Sequence, residues 1–132
     1  MKTIYFDENL SHFWAQAFDL LSKVHFPAIS VKHTTERFGR GADDEDIIPV
    51  IGEEGGILLT KDMNIQRTRL QNQLCEAHKL GASFLKMHRG QDTSWEIIKV
   101  LATNWEYIVD KIQKEKYPFA FRLKPVGKPE RM

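Results

Sequence analysis

A single α/β domain, with a mostly parallel central sheet flanked by helices on both faces, is the fold the sequence predicts. Three observations carry this. Short apolar runs alternate with segments of helical periodicity along the whole chain. One of those runs, "GGILLT" (55–60), is apolar without alternation, as strands covered on both faces are. The chain of 132 residues is long enough for one core and too short for two. The ordered domain is expected over 1–124, with a flexible tail over 125–132.

The elements follow in order. "KTIYF" (2–6) reads as a strand that ends in acids. In "LSHFWAQAFDLLSK" (10–23) the spacing of Leu10, Phe13, Trp14, Ala17, Leu20 and Leu21 predicts a helix burying that stripe, capped by Asn9 or Ser11. "AISVKHT" (28–34) is a second strand after Pro27, and "ERFGRGA" (36–42) a glycine loop. Asp43 then stands as N-cap of a second helix, with Asp46 in the capping-box place. Ile47, Ile48, Val50 and Ile51 form its apolar face, and Pro49 lies in about its first turn. After the 55–60 strand, a third helix over 64–80 is expected to bury Ile65, Leu70, Leu74, Ala77 and Leu80 and to stop at Gly81. "ASFLKM" (82–87) is a fourth strand. Residues 94–114 give the longest helical stripe, through Trp95, Ile98, Leu101, Trp105, Ile108 and Ile112. "PFAFRLK" (118–124) alternates like an edge strand.

Composition excludes several classes. The lone Cys75 cannot form an intrachain disulfide and reads as core, which fits a reducing, cytoplasmic setting. No apolar stretch suggests a signal peptide or membrane span. The five histidines show no zinc spacing with Cys75, and no phosphate-binding glycine fingerprint is present. The net charge of +1 conceals an asymmetry. Residues 1–66 carry 6 basic and 11 acidic side chains, and residues 67–132 carry 13 and 7. That division suits a protein that brings a cation to a polyanion.

Asp7 ends the first strand, Asp62 follows the third, and Asp43, Asp44, Glu45 and Asp46 open the second helix. In a parallel sheet these places share the carboxyl edge, where ligands bind. Carboxylates gathered there repel one another, and a divalent cation with oxygen preference removes the conflict. Thr60 shares the face of Asp62 and can orient it. The acids also read as helix caps and dipole partners, which needs no metal. Arg67, Arg69, Lys86, Arg89 and Arg122 are candidates for phosphate contact, with Arg67 and Arg69 nearest to Asp62 in sequence.

"FDENLS", "HTTERFGRGADDEDI" and "GGILLTKD", in this order and at these spacings, resemble the PIN-like nuclease domains of toxin–antitoxin loci, the VapC-type toxins. The resemblance spans most of 3–88. It implies a compact PIN-like domain and a ribonuclease that cuts RNA with Mg²⁺ or Mn²⁺ and an activated water. It also implies a cognate antitoxin protein as partner and allows a homodimer. It assigns the catalytic, metal-holding acids to Asp7, Asp44 and Asp62, with Thr60, Asp43 and Glu45 in support. Asn64 stands where the family often has a further acid, and an amide brings no charge there. Two alternatives remain: a PIN-like domain that binds RNA or a partner without cutting, and a receiver-type signalling domain using Asp7 and Asp62. Against the latter, the fourth strand ends in "KMHRG" without a hydroxyl.

Overall fold

The structure, a computed structural model, describes residues 2–62, 64–88, 90 and 92–132. Its elements are β1 (Lys2–Phe6), α1 (His12–His25), β2 (Ile29–His33), α2 (Thr34–Phe38), α3 (Asp44–Glu54), β3 (Ile57–Lys61), α4 (Ile65–Ala77), β4 (Gly81–Leu85), α5 (Ser94–Lys114), β5 (Phe119–Leu123) and β6 (Glu130–Arg131). The sheet order is β2-β1-β3-β4-β5-β6. Every pairing is parallel except the last. The chain runs from β1 outward to β2 and then back across to β3. The order therefore reverses between β1 and β3, and such a switch point opens a crevice at the carboxyl ends of the two strands.

The two faces of the sheet bury different cores. Ile4, Phe6, Ile57, Leu59, Phe121 and Leu123 point toward α1 and α5 and form the larger cluster with Phe18, Leu101, Trp105 and Ile108. Tyr5, Leu58, Ala82 and Phe84 point the other way and pack under α3 and α4 with Ile47, Ile48, Ile51 and Cys75. This two-sided coverage is why β3 is apolar without alternation: Ile57 through Thr60 are all buried. β5 alternates buried and half-buried residues, as Phe119, Phe121 and Leu123 predict.

Several differences from the sequence reading have physical causes. In α1 the inward residues are Ala15, Phe18 and Ser22, whereas Phe13, Leu20 and Leu21 are 67%, 64% and 60% exposed. The helix is apolar on two sides, and periodicity cannot rank them. The Phe18 ring meets Trp105 at 4.5 Å, and Trp105 Nε1–H donates to Ser22 Oγ at 2.9 Å, which decides the matter. In α4 the buried face is Thr68, Gln71 and Cys75, while Ile65 and Leu70 are exposed. The helix ends at His78 and Lys79, whose φ of 56° is left-handed, rather than at Gly81, which begins β4. The expected loop after β2 opens with the short helix α2. Arg37 on it ion-pairs with Glu54 and donates to Tyr5 Oη at 2.6 Å. Finally, the segment expected as a flexible tail, 125–132, carries β6. There Glu130 and Arg131 pair with Arg122 and Phe121, and β6 rather than β5 lies at the sheet edge.

α3 begins after Asp43, which has N-cap backbone angles but makes no side-chain cap bond, so its charge acts only through the helix dipole. Pro49 lies in the second turn rather than the first and leaves the Glu45 carbonyl without its helical donor. Gly55 closes the helix at φ 69°. α3 lies tight against the end of α4: a Cβ on Gly52 would collide with the His78 carbonyl oxygen. No helix among the described residues is long and apolar enough to cross a membrane.

Candidate active site

The site lies at the switch point. Asp7 directly follows β1, and its backbone N–H continues the ladder by donating to the Leu59 carbonyl at 2.9 Å. The register pairs Phe6 with Leu59, so Asp7 stands beside Thr60, the residue that follows. The carboxylate is 7% exposed and held at both oxygens. Oδ1 accepts from Glu8 N–H at 2.8 Å, and Oδ2 accepts from the fully buried Thr60 hydroxyl at 2.7 Å. Asn9 Nδ2 donates to the same Thr60 oxygen at 3.1 Å, and its carbonyl faces Lys61 N–H at 3.4 Å. Asn9 is therefore a brace between the two strand ends. The helix cap is Ser11, which accepts from Phe13 N–H. Glu8 reaches elsewhere. Its two oxygens receive Gly41 N–H at 3.0 and 3.2 Å, which ties the loop before α3 to the end of β1.

Asp44, the first residue of α3, is half-buried. Burial and then the Asp7 charge push its carboxyl above the usual carboxylate range. The Gln71 amide and the Arg67 guanidinium pull the other way, and Glu45 adds a small upward push. Asp7 and Asp44 thus form one electrostatic unit built from two elements. Gln71 closes it from α4. Its amide is 2% exposed, and neither Nε2 nor Oε1 has a partner in hydrogen-bond geometry, although its proximity is felt by Asp44. A buried amide left so among the described residues is costly.

Asp62 lies on the same face of the sheet, beyond the end of β3, and faces other partners. Its Oδ1 accepts from the Thr68 hydroxyl at 2.8 Å, and its Oδ2 from Arg122 Nε–H at 2.8 Å. The side chains of Asp62 and Arg122 are 10% and 23% exposed, so this ion pair is largely withdrawn from water. Arg122, a phosphate candidate by sequence, is thus engaged with an acid, and its Nη1 stands 3.6 Å from Glu130. Among the described residues no group of three or more acid, histidine or cysteine side chains is placed to hold a metal ion, so Asp62 does not join Asp7 and Asp44. Asn64 caps α4, its Oδ1 accepting from Arg67 N–H at 2.8 Å. Glu45 and Asp43 are exposed, as are Arg67 and Arg69. Arg69, Lys86 and Arg122 line a cleft of about 390 Å³ together with Asp62 and Thr68. Arg89 lies outside the described residues.

A sequence profile for the PIN like domain matches residues 2–87. The chain belongs to the PIN-like domain family. Comparison with curated proteins and with solved structures gives no significant match. The match covers every element from β1 to β4 and therefore all of Asp7, Asp44, Thr60 and Asp62. It leaves α5, β5 and Arg122 outside. PIN-like domains are commonly nucleases, and the mixed sheet with helices on both faces agrees with that fold.

Three participants escape the sequence reading of this PIN-like site. Asn9 hides inside "DENLS", where it also reads as a cap. Gln71 and Thr68 sit at i and i+3 of α4, with Cys75 four residues on. That spacing is the available signal, and it goes unnoticed because two of the three residues are polar.

Proposed function

We propose that this PIN-like domain is a metal-dependent endoribonuclease, with Mg²⁺ or Mn²⁺ held by Asp7 and Asp44. The observation that carries the reading is the acid pair itself: two carboxylates from different elements, one of them pushed toward its neutral form by burial and by the other. The donor set suits a hard cation. It consists of oxygen, offers two carboxylates, and adds the Gln71 amide oxygen that has no partner. Such a metal supplies a more acidic bound water and stabilises charge on phosphate oxygens.

The chain's own residues do the rest. The Thr60 hydroxyl and the Glu8 N–H fix the plane of the Asp7 carboxylate, and Asn9 fixes Thr60. Glu45 and Asp43 keep the mouth of the site negative. Arg67, whose charge is felt by Asp44, meets the scissile phosphate, and Arg69 meets the next one along. The basic second half of the sequence supports RNA as the polyanion. The resemblance to toxins of toxin–antitoxin loci supports a cognate antitoxin protein as partner, and co-purification with the product of a neighbouring gene tests it. RNA cleavage by wild type and Asp7→Asn, side by side in Mg²⁺, Mn²⁺ and chelator, tests the activity. Equal rates for the two proteins exclude it.

A specific observation favours a second reading, a PIN-like domain that binds RNA without cutting. The third acid, Asp62, is already neutralised by Arg122, and Asn64 is spent on capping α4. Tight, salt-dependent RNA binding without cleavage in Mn²⁺ is its expected signature.

A further inference from the structure

Arg122 and Asp62 form a pair with an open side. The guanidinium belongs to β5, two strands away from the residue it serves, and reaches Asp62 past Phe84 of the intervening β4. The cleft that opens on this pair also presents Arg69 and Lys86. Three cations therefore share one cleft with a carboxylate largely withdrawn from water, and Glu130 stands 3.6 Å from Arg122. Such a cleft suits an anion. A phosphate presents oxygens to the guanidinium fork in the same way as a carboxylate does, so it is a direct competitor for Arg122.

The neighbouring half of the site needs what this competition would release. Thr68, which binds Asp62, and Gln71, which faces Asp44, are three residues apart on one face of α4. That spacing puts their Cβ atoms about 5–6 Å apart. Asp62 also follows Thr60 by two residues, and Thr60 holds Asp7. A carboxylate freed from Arg122 is therefore about one helical turn from the acid pair.

We propose that Arg122 is a partner-exchanging latch. In the free chain it withholds Asp62 from the Asp7–Asp44 site. A nucleic-acid phosphate entering the cleft takes the guanidinium and releases Asp62 to complete the metal's ligand set. The inference rests on the metal site proposed above. It makes Arg122 and Asp62 positioning residues that couple phosphodiester binding to metal binding, and by linkage each ligand strengthens the other.

The test is Mn²⁺ affinity, measured by calorimetry without nucleic acid, in wild type and in Arg122→Gln, Arg122→Lys, Arg122→Gln/Asp62→Asn and Asp44→Asn variants. Arg122→Gln is expected to bind Mn²⁺ more tightly than wild type by about fivefold or more. Arg122→Lys, which keeps a cation beside Asp62, is expected to stay near wild type, and the double variant to lose the gain. Equal affinity in Arg122→Gln and wild type overturns the latch. So does a gain that survives Asp62→Asn, because removing a positive charge would then explain it. Asp44→Asn separates this failure from failure of the metal site: unchanged Mn²⁺ binding in that variant overturns the site itself. A second measurement needs no substitution. The Arg122 Nε–H resonance of the wild type is expected to shift when a short phosphorothioate-linked oligonucleotide is added, and a resonance that stays in place overturns the exchange of partners.

Discussion

The two halves of the site solve the same problem in opposite ways. At the switch point, burial and then the Asp7 charge raise the pKa of Asp44, and the Gln71 amide and the Arg67 guanidinium offset this only in part. Past the end of β3, Asp62 is equally withdrawn from water but carries its counter-charge with it, Arg122, and a hydroxyl from Thr68. One half is an acid pair whose setting still disfavours its charge, and the other is an acid paired with a cation. The contrast teaches that acids at the carboxyl edge of one parallel sheet need not share one electrostatic setting. The deciding quantity is whether some other part of the chain has supplied the positive charge.

Breaking the acid pair should have the largest effect. Asp44→Asn removes a charge from it, and RNA cleavage is expected to fall by about a hundredfold or more. Single-turnover rates at saturating Mg²⁺ check this, and a loss below about threefold would mean that Asp44 is a bystander.

Stability should then move in opposite directions in the two halves. Asp62→Asn leaves Arg122 largely buried without its anion and is expected to destabilise the metal-free chain by about 1–3 kcal/mol. Asp44→Asn is expected to stabilise it at neutral pH, because repulsion is relieved. The pH dependence has a definite sign. The folded Asp44 holds its proton more tightly than the unfolded chain does, so its contribution is favourable below the unfolded value of 3.8 and is lost as pH rises through the raised folded value. Urea titrations from acid to neutral pH should show that loss in wild type and its absence in Asp44→Asn. Added Mg²⁺ should restore stability to wild type and less to the variant.

Smaller changes sharpen the contrast. Thr60→Val removes the hydroxyl that Asp7 accepts and is expected to cost about 1–2 kcal/mol by urea unfolding, with the backbone unchanged. The smallest effect belongs to Gln71→Leu. Exchanging two partnerless buried polar atoms for methyl groups should leave the metal-free chain equally stable or up to about 1 kcal/mol more stable, while metal-induced stabilisation declines. A clear loss of stability without metal would show that the amide has partners in solution.

Much of this was legible in the sequence where local pattern and burial agree. Lys2–Phe6 and the bounds of Ser94–Lys114 were readable to the residue, because a short apolar run ending in acids and a long periodic stretch each have one interpretation as an element. The stripe within the helix was not: Trp95, expected on it, is 72% exposed, and Ile97 and Val100 are buried instead. Cys75 was readable as core for the same reason. The expectation failed where a segment offers two faces. α1 has apolar residues on both sides, and only the fit of Phe18 against Trp105 selects one. α4 buries Thr68 and Gln71 while exposing Ile65 and Leu70, an orientation that hydrophobicity alone does not predict. In the site, the placement of Asp7 and Asp44 follows from strand order. The diversion of Asp62 does not, because its partner lies sixty residues away on another strand and no local rule links them.

Cys75 gives the molecule a native reporter. It is the chain's sole thiol, it is 1% exposed, and burial followed by the charges of Asp44 and Asp7 raises its pKa to about 12. Folded chains are therefore silent toward thiol reagents, which attack the thiolate. The residue sits one turn beyond Gln71 on the same buried face of α4. Its labelling rate consequently counts the openings of that helix, the one that carries Thr68 and Gln71 into the site. Whatever seats itself between the acids should slow the clock.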